Sequence, residues 1–301
     1  QGFDVYDDDF HENRWLLFNN ERVAEGVTEI TGEWIDGKPK EPFFAWIHYS
    51  DPHAPYVRHK EFEFKSGSLN SSNYDSEVAY TDHHIGELIK KLEDSGMLSR
   101  SLIIFTADHG EALGEHDYVG HGRNLYQPGM HVPFAVIGPG IPAGVSEQAK
   151  VQLLDLAPTA LDYAGFEVPA DMRGLSLVPH LKGESEYPER SLYFETYPGA
   201  APQVAGSEKM LNKPIWVGSR KGMEKMLFSV RRQKWESYDL PSDAGELKSK
   251  VSLRDPGFIE KSDQLLSWYG EWEDQAVVGK VGAMTEEDRA KFKALGYVDG
   301  P

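Results

Sequence analysis

The sequence predicts an α/β protein in which helices flank a largely parallel sheet, followed by a smaller subdomain built on an antiparallel sheet. Two short, nearly unbroken apolar runs, 42–49 and 101–108, are typical of strands buried on both faces. A long amphipathic helix between them implies a right-handed crossover connection. Beyond residue 190 the apolar segments become short, aromatic and partly alternating, which is typical of antiparallel strands.

The N-terminal elements follow from their apolar spacing. Residues 21–35 place apolar side chains at intervals of four, three and four, which predicts a helix with one buried stripe. The strand predicted at 42–49 comes next. A helix of five or six turns then ends at Gly96. Its predicted apolar face consists of Val78, Ile85, Leu88, Ile89 and Leu92.

The remaining elements complete the predicted layers. A strand at 132–140 closes with a Gly-Pro-Gly turn, and a helix at 151–165 contains an internal proline. The polar, turn-prone stretch at 183–190 predicts a boundary that divides the chain into an α/β domain, 1–186, and an antiparallel subdomain, 187–301. A Thr285–Asp288 capping pattern predicts a last helix that ends at Gly296.

The composition narrows the classes of partner. A formal net charge of −18 disfavours nucleic acid, and it also requires a local cation wherever an anionic substrate binds. With no cysteine, the chain has neither disulfides nor thiolate metal sites. No apolar run is long enough for a membrane span, and the acidic first residues do not form a signal peptide.

The strongest local signal is Asp108-His109-Gly110, which directly follows a predicted buried strand. A carboxylate and an imidazole are both ligands of divalent cations. They could share an ion only if the chain turns there, and Gly110 permits such a turn. The alternative is an aspartate that caps local backbone and a histidine bound to a backbone carbonyl.

Two further histidine loops are candidates for contacts to substrate. His53 lies between Pro52 and Pro55, which stiffen its loop, and its alternative role is to cap local backbone. His121 lies between two glycines that permit close approach of a ligand. His116, in the same stretch, receives no role, and His83 and His84 are predicted to be surface or packing residues.

These loops, in this order, resemble the sulfatase family of the alkaline-phosphatase superfamily. The resemblance covers PFFAWIHYSDPHAPY, YDSEVAYTDHHIGELIKKLEDSGMLSRSLIIFTADHGEALGEH, HGRNLYQPGMHVPFAVIGPGIPAG, VQLLDLAPTALDYAG, RGLSLVPHLKG and EEDRAKFKALGYV. Five ordered segments and a tail are far more specific than any one motif. The resemblance implies an alkaline-phosphatase-like fold and hydrolysis of a sulfate ester, with a sulfated carbohydrate as the leading substrate class.

The resemblance also implies roles. Asp108 and His109 match the paired ligands of a divalent metal, calcium first and magnesium second. His53 matches a histidine that contacts the sulfate or the leaving oxygen, and His121 matches the lysine-or-histidine position that neutralises the sulfate. Periplasmic or secreted location follows by family analogy.

One family feature is missing. The formylglycine nucleophile is made from Cys or Ser in C/S-x-P-x-R, and this chain has no such sequence; the nearest, 186–190, begins with Glu186. We therefore expect formylglycine in a missing N-terminal segment, which the chain would need as a partner, and we expect the chain alone to be inactive. Two alternatives remain open: a phosphodiesterase or phosphonate hydrolase of the same superfamily, and a non-catalytic subunit that retains the fold.

Overall fold

The computed structural model describes residues 2–8, 12–15, 18–65, 67–197 and 213–275. They belong to two compact units, one within Gln1–Ser101 and the other within Leu102–Ala283. No helix among these residues combines the length and the apolar character that crossing a membrane requires.

The first unit contains two helices and a short hairpin. Strands β1 (Glu12–Trp15) and β2 (Phe18–Glu21) pair antiparallel. Helices α1 (Ala24–Asp36) and α2 (Leu69–Asp94) confirm the two predicted helices, and their core contains Ile35, Leu88 and Met97. Short 3₁₀ turns at Lys60–Phe62 and Leu98–Arg100 lie beside α2.

Helix α2 is longer than predicted, and four of its five buried residues are polar. It begins after Ser68, whose hydroxyl accepts a hydrogen bond from the Ser71 amide at 3.2 Å. The buried positions include Ser76, Glu77, Thr81 and His84, whereas the predicted core residue Val78 is exposed. Apolar spacing missed this face because Glu77 and Ser76 accept hydrogen bonds from the backbone amides of Val57 and His59.

The strand predicted at 42–49 is not formed. These residues have no strand hydrogen-bonding pattern, and two of their aromatic side chains, Phe44 and Trp46, are 66% and 75% exposed. The prediction is based on their apolar run, which is typical of a strand that other elements cover on both faces. No ladder partner for this segment lies among the described residues, so the predicted crossover between 42–49 and 101–108 is not formed either.

The second unit begins with the predicted strands at 101–108 and 132–140. They form β3 (Ile103–Thr106) and β6 (Phe134–Ile137), which pair antiparallel with Ile103 opposite Ile137. Between them lie a two-residue ladder, β4 (Ala112–Leu113) with β5 (Val119–Gly120), and the short helix α3 (Gln127–Met130). The helix predicted at 151–165 is α4 (Leu156–Tyr163), with Pro158 in its first turn, where no backbone N–H is required; α5 is Val178–Leu181.

The antiparallel sheet predicted beyond residue 190 is confirmed. It is a four-stranded meander of β7 (Ser191–Thr196), β8 (Trp216–Lys221), β9 (Glu224–Ser229) and β10 (Lys234–Asp239). Helix α6 (Pro256–Gln275) packs on it through Phe258 and Leu265, against a core that includes Val217 and Phe228. The division at 186/187 stays a prediction, and the helix predicted at 285–296 lies outside the described residues.

Candidate active site

The candidate site begins where strand β3 ends. The Thr106 hydroxyl donates to the Pro133 carbonyl at 2.9 Å, so the end of β3 is attached to the chain just before β6. The Gly110 amide donates to the Gly129 carbonyl at 2.9 Å. A β-carbon at Gly110 would overlap the Pro128 carbonyl oxygen, so this close approach of two backbones requires glycine here.

Asp108 and His109 lie in the tight segment that these contacts fix. The His109 amide donates to Asp108 Oδ1 at 3.0 Å, and His109 Nδ1 lies 3.0 Å from the Gly110 carbonyl. When Nδ1 carries the proton and donates it to that carbonyl, Nε2 keeps its lone pair. Nε2 lies 3.7 Å from Asp108 Oδ1. These local bonds agree with the backbone-capping alternative. They also leave His109 Nε2 and Asp108 Oδ1 close to each other.

That arrangement fits two ligands of one cation. Atoms that share an ion at about 2.0–2.5 Å are separated by about 3–3.5 Å, close to the observed spacing. Asp108 is 67% exposed at its side chain, so its oxygens are accessible. In the part of the chain that the structure describes, no group of three metal-ligating side chains includes this pair. The pair therefore accounts for part of a coordination shell.

His121 lies directly against His109. Their rings stack with centroids 3.8 Å apart and planes inclined by 22°. The structure thus brings together Asp108, His109 and His121, three of the four residues that the sequence singled out. The fourth, His53, lies in the first unit.

Glu111 is a functional candidate that sequence reasoning missed. Its side chain is 5% exposed, and its Oε2 lies 3.3 Å from His121 Nδ1. The hydrogen bond to Glu111 raises the pKa of His121; burial opposes that change, and the charges of Glu111 and Asp108 add to it. The sequence shows an acidic residue two positions after His109, which could have marked Glu111 as a candidate. Its pairing with His121, ten residues away, depends on the fold.

The backbone around His121 is held by two hydroxyl groups. The Tyr118 hydroxyl donates to the His121 carbonyl at 2.6 Å, and the Thr196 hydroxyl, at the end of β7, donates to the Gly122 carbonyl at 2.5 Å. The antiparallel sheet therefore takes part in positioning residues 121–126, called the His121 loop below.

Tyr126, the last residue of this loop, binds the same sheet and also contacts His116. His116, in a left-handed conformation with φ of 55°, stacks on Tyr126 with ring centroids 3.6 Å apart. The Tyr126 and Tyr238 hydroxyls both donate to Glu236 Oε2 at 2.8 Å. Burial and the Glu236 carboxylate raise the pKa of both tyrosines. His116 thus has a packing role.

A buried ion pair lies beneath α3. Lys225 Nζ lies 2.6 Å from Glu246 Oε1, and both side chains are fully buried. Burial lowers the pKa of Lys225 to about 8. The Gln127 amide donates to Glu246 Oε2 at 2.6 Å, so this pair fixes the start of the helix that contains Gly129.

In the first unit, His53 lies in a loop attached to α1. The Ala24 amide, at the start of α1, donates to the buried Asp51 carboxylate at 2.6 Å. The His53 amide donates to the Ser50 carbonyl at 2.9 Å, and its Nδ1 lies 2.7 Å from the Ala54 carbonyl. The loop is ordered by local bonds, as the capping alternative expected, and the substrate role of His53 stays a prediction.

The near match at 186–190 has a structural role. Arg190 Nη2 lies 2.6 Å from Asp155 Oδ1, and the Tyr187 hydroxyl donates to Asp155 Oδ2 at 2.9 Å. Asp155 is fully buried and also accepts hydrogen bonds from the amides of Gln152 and Leu175. These residues satisfy a buried carboxylate and offer no nucleophile.

Two family models match the chain. The Sulfatase model matches residues 2–166, and the model described as N-sulphoglucosamine sulphohydrolase, C-terminal, matches residues 114–265. Arylsulfatase K of Gallus gallus is 32% identical over 230 residues, covering 73% of this chain and 41% of that protein. The chain spans less than half of the length of the curated relatives it matches, from 28% to 41%.

Solved structures show the same fold. One was determined in complex with D-glucosamine-2-N,6-O-disulfate; it is 28% identical with a TM-score of 0.55, and the match covers 72% of this chain and 44% of that one. The phosphonate monoester hydrolase of Agrobacterium radiobacter is 21% identical with a TM-score of 0.66, over 89% of this chain and 65% of that one. The alkaline-phosphatase-like fold expected from the sequence is thereby confirmed.

Proposed function

The chain belongs to the sulfatase family, and we propose from this premise that it is part of an enzyme that hydrolyses the sulfate ester of a sulfated sugar. The grouping of Asp108, His109 and His121 is the observation that carries the proposal. The sugar substrate is supported by the N-sulphoglucosamine sulphohydrolase model and by the disulfated glucosamine bound to a structural relative.

Asp108 and His109 are the proposed metal ligands, through Oδ1 and Nε2. A divalent cation held there, calcium first and magnesium second, would offset the negative charge of the sulfate group and polarise its S–O bonds. This local positive charge is needed because the chain as a whole has a formal charge of −18.

His121 is the proposed contact to a sulfate oxygen. Glu111 engages Nδ1, so Nε2 is the nitrogen that we assign to the substrate. Stacking on His109 keeps the imidazole beside the proposed metal ligands, and the Tyr118 and Thr196 hydroxyls hold its backbone. His53 is the proposed contact to the sulfate or to the leaving oxygen.

The nucleophile is proposed to come from a preceding segment of the same polypeptide, as a formylglycine. The chain contains no C/S/T-x-P-x-R sequence, and loss of a covalent nucleophile lowers turnover by several orders of magnitude. The proposed partners are thus this segment and the sulfate-ester substrate.

The test compares this chain with a longer form of the same protein that includes a C/S-x-P-x-R segment. We expect the longer form to release sulfate from a glucosamine 6-sulfate substrate, and this chain to release none. Asp108→Asn and His109→Ala should each abolish release from the longer form. Sulfate release by this chain alone, or faster cleavage of a matched phosphonate ester, would contradict the proposal.

Metal binding is tested separately by calorimetric titration of this chain with calcium chloride. Asp108→Asn should weaken calcium binding at least about tenfold. Asp117→Asn serves as the matched control because it removes one exposed carboxylate from a nearby loop. Equal calcium affinity in both variants would contradict Asp108 as a metal ligand. The sulfate-release assay would still test the proposed activity separately.

A further inference from the structure

A second group of metal-ligating side chains lies on α2 in the first unit. His83, His84 and Glu87 each offer one ligand atom, and these atoms all lie within 4.8 Å of one another. Among the described residues it is the one group of three or more such side chains that meets this spacing. The proposed sulfatase activity does not use it.

The three residues lie on one side of the helix. His84 and Glu87 are three residues apart and His83 and Glu87 are four apart, the two spacings that place side chains next to each other on a helix. His84 Nδ1 lies 2.7 Å from Glu87 Oε2, and His83 Nε2 lies 3.7 Å from Glu87 Oε1. The carboxylate therefore lies between the two imidazoles.

The two distances, 2.7 and 3.7 Å, lie on either side of the separation between two ligands of a tetrahedral metal ion. Ligands at about 2.0–2.2 Å from zinc are separated by about 3.3–3.5 Å. A cation would take the place of the proton between His84 and Glu87, and their atoms would need to separate by less than 1 Å. Glu87 can make this adjustment because its side chain is 53% exposed.

The two histidines are held by aromatic neighbours. His84 is buried, and its ring meets the ring of Tyr80 edge-on with centroids 4.5 Å apart. His83 is exposed, and its ring lies 5.2 Å from that of Phe62. One fixed ligand and two accessible ligands leave room for water to complete the coordination of an ion.

The chemistry of the ligands selects the metal. Two imidazoles and one carboxylate favour zinc and the neighbouring first-row metals over calcium and magnesium, which prefer oxygen ligands. The lysines one turn further along α2 pair with other carboxylates, Lys90 with Asp94 and Lys91 with Asp36.

We propose that His83, His84 and Glu87 form a binding site for a divalent transition-metal ion, zinc in the first instance. The ion would join three residues of α2 and stabilise the first unit by binding the folded state alone. The proposal does not depend on the sulfatase assignment.

The test is calorimetric titration of the whole chain with zinc chloride in a His109→Ala/His121→Ala background, which removes the two imidazoles that lie beside Asp108. We expect one zinc ion per chain and a thermal midpoint that rises with zinc. His83→Ala and Glu87→Gln, both at exposed positions, should each weaken zinc binding at least about tenfold. Millimolar calcium should not compete.

His131→Ala is the matched control, because it removes an exposed histidine in the second unit. It should leave zinc affinity unchanged. Zinc affinity within twofold of the background in both His83→Ala and Glu87→Gln, or displacement of zinc by calcium, would overturn the proposal. Loss of calcium binding in Asp108→Asn tests the other site and has no bearing on this result.

Discussion

At the residue scale, Gly110 is required by the approach of another backbone. The contact that excludes a β-carbon is a carbonyl oxygen, which cannot move aside as the end of a side chain can. The neighbours of Gly110 include His109, so any displacement of this turn also moves a proposed metal ligand.

We therefore expect Gly110→Ala to destabilise the chain by about 1–3 kcal/mol. Urea unfolding monitored by tryptophan fluorescence measures the change. Gly129→Ala is the matched control, since a β-carbon there meets no atom within 4 Å. Equal stability of the two variants would contradict the steric argument.

Glu111 and His121 give a second prediction at this scale. Because the carboxylate of Glu111 raises the pKa of His121, Glu111→Ala should lower that pKa. Titration of the His121 ring protons by NMR measures it. Asp117→Asn, which removes an exposed charge from the same loop, should leave the pKa of His121 nearly unchanged. A His121 pKa that does not respond to Glu111→Ala would show that the 3.3 Å contact is not maintained in solution.

At the scale of elements, the antiparallel sheet holds the His121 loop through two buried polar groups. One is the ion pair of Lys225 with Glu246, and the other is Glu236 with its two tyrosines. Each joins a strand of the sheet, or the turn after it, to residues near the start of α3. The same side chains therefore pack the sheet and fix the segment that follows His121.

Lys225→Met should cost about 3–5 kcal/mol, because it leaves the Glu246 carboxylate buried without its cation. The double variant Lys225→Met/Glu246→Gln should recover much of that loss in the free energy of unfolding. Lys234→Met, at an exposed lysine that pairs with Glu236, is the control and should cost less than about 1 kcal/mol. A similar loss for both lysines would mean that burial of the first pair is not maintained in solution.

The raised pKa of Tyr238 predicts how the free energy of unfolding changes at alkaline pH. Its pKa is raised in the folded state, so below pH 10 both folded and unfolded chains keep its proton. Above pH 10 the unfolded chain releases that proton first, and stability falls as pH rises. Between pH 10 and 11, Tyr238→Phe should lose stability less steeply than the native chain, by up to about 1.4 kcal/mol per pH unit. Parallel curves from urea unfolding at the two pH values would contradict this.

At the scale of the whole molecule, the sequence predicted helices and the antiparallel meander well, because both depend on local periodicity. It failed at 42–49, where an apolar run predicted a covered strand and the structure exposes Phe44 and Trp46. Apolar periodicity shows which secondary structure a segment can adopt, whereas strand pairing also requires a second strand from another part of the chain. The same limit explains the polar buried face of α2, which is stabilised by hydrogen bonds to residues 57 and 59.

The candidate site was predicted in the same uneven way. The sequence identified Asp108, His109 and His121, since each lies beside a strand end or between glycines. It did not identify Glu111, Tyr118 or Thr196, because their contacts to the His121 segment require the folded loop. Candidate ligands could be proposed from local sequence, whereas the residues that contact and position them could not.

The bond between the Gln127 amide and Glu246 spans 119 positions in the chain, and that between Tyr126 and Glu236 spans 110. During synthesis, Asp108 and His109 emerge from the ribosome long before these acceptors do. The His121 loop therefore acquires its final anchors only after β10 and the turn that follows it have been made. A chain that stops or is cut before residue 246 would contain every predicted ligand and yet lack the supports that hold them in place.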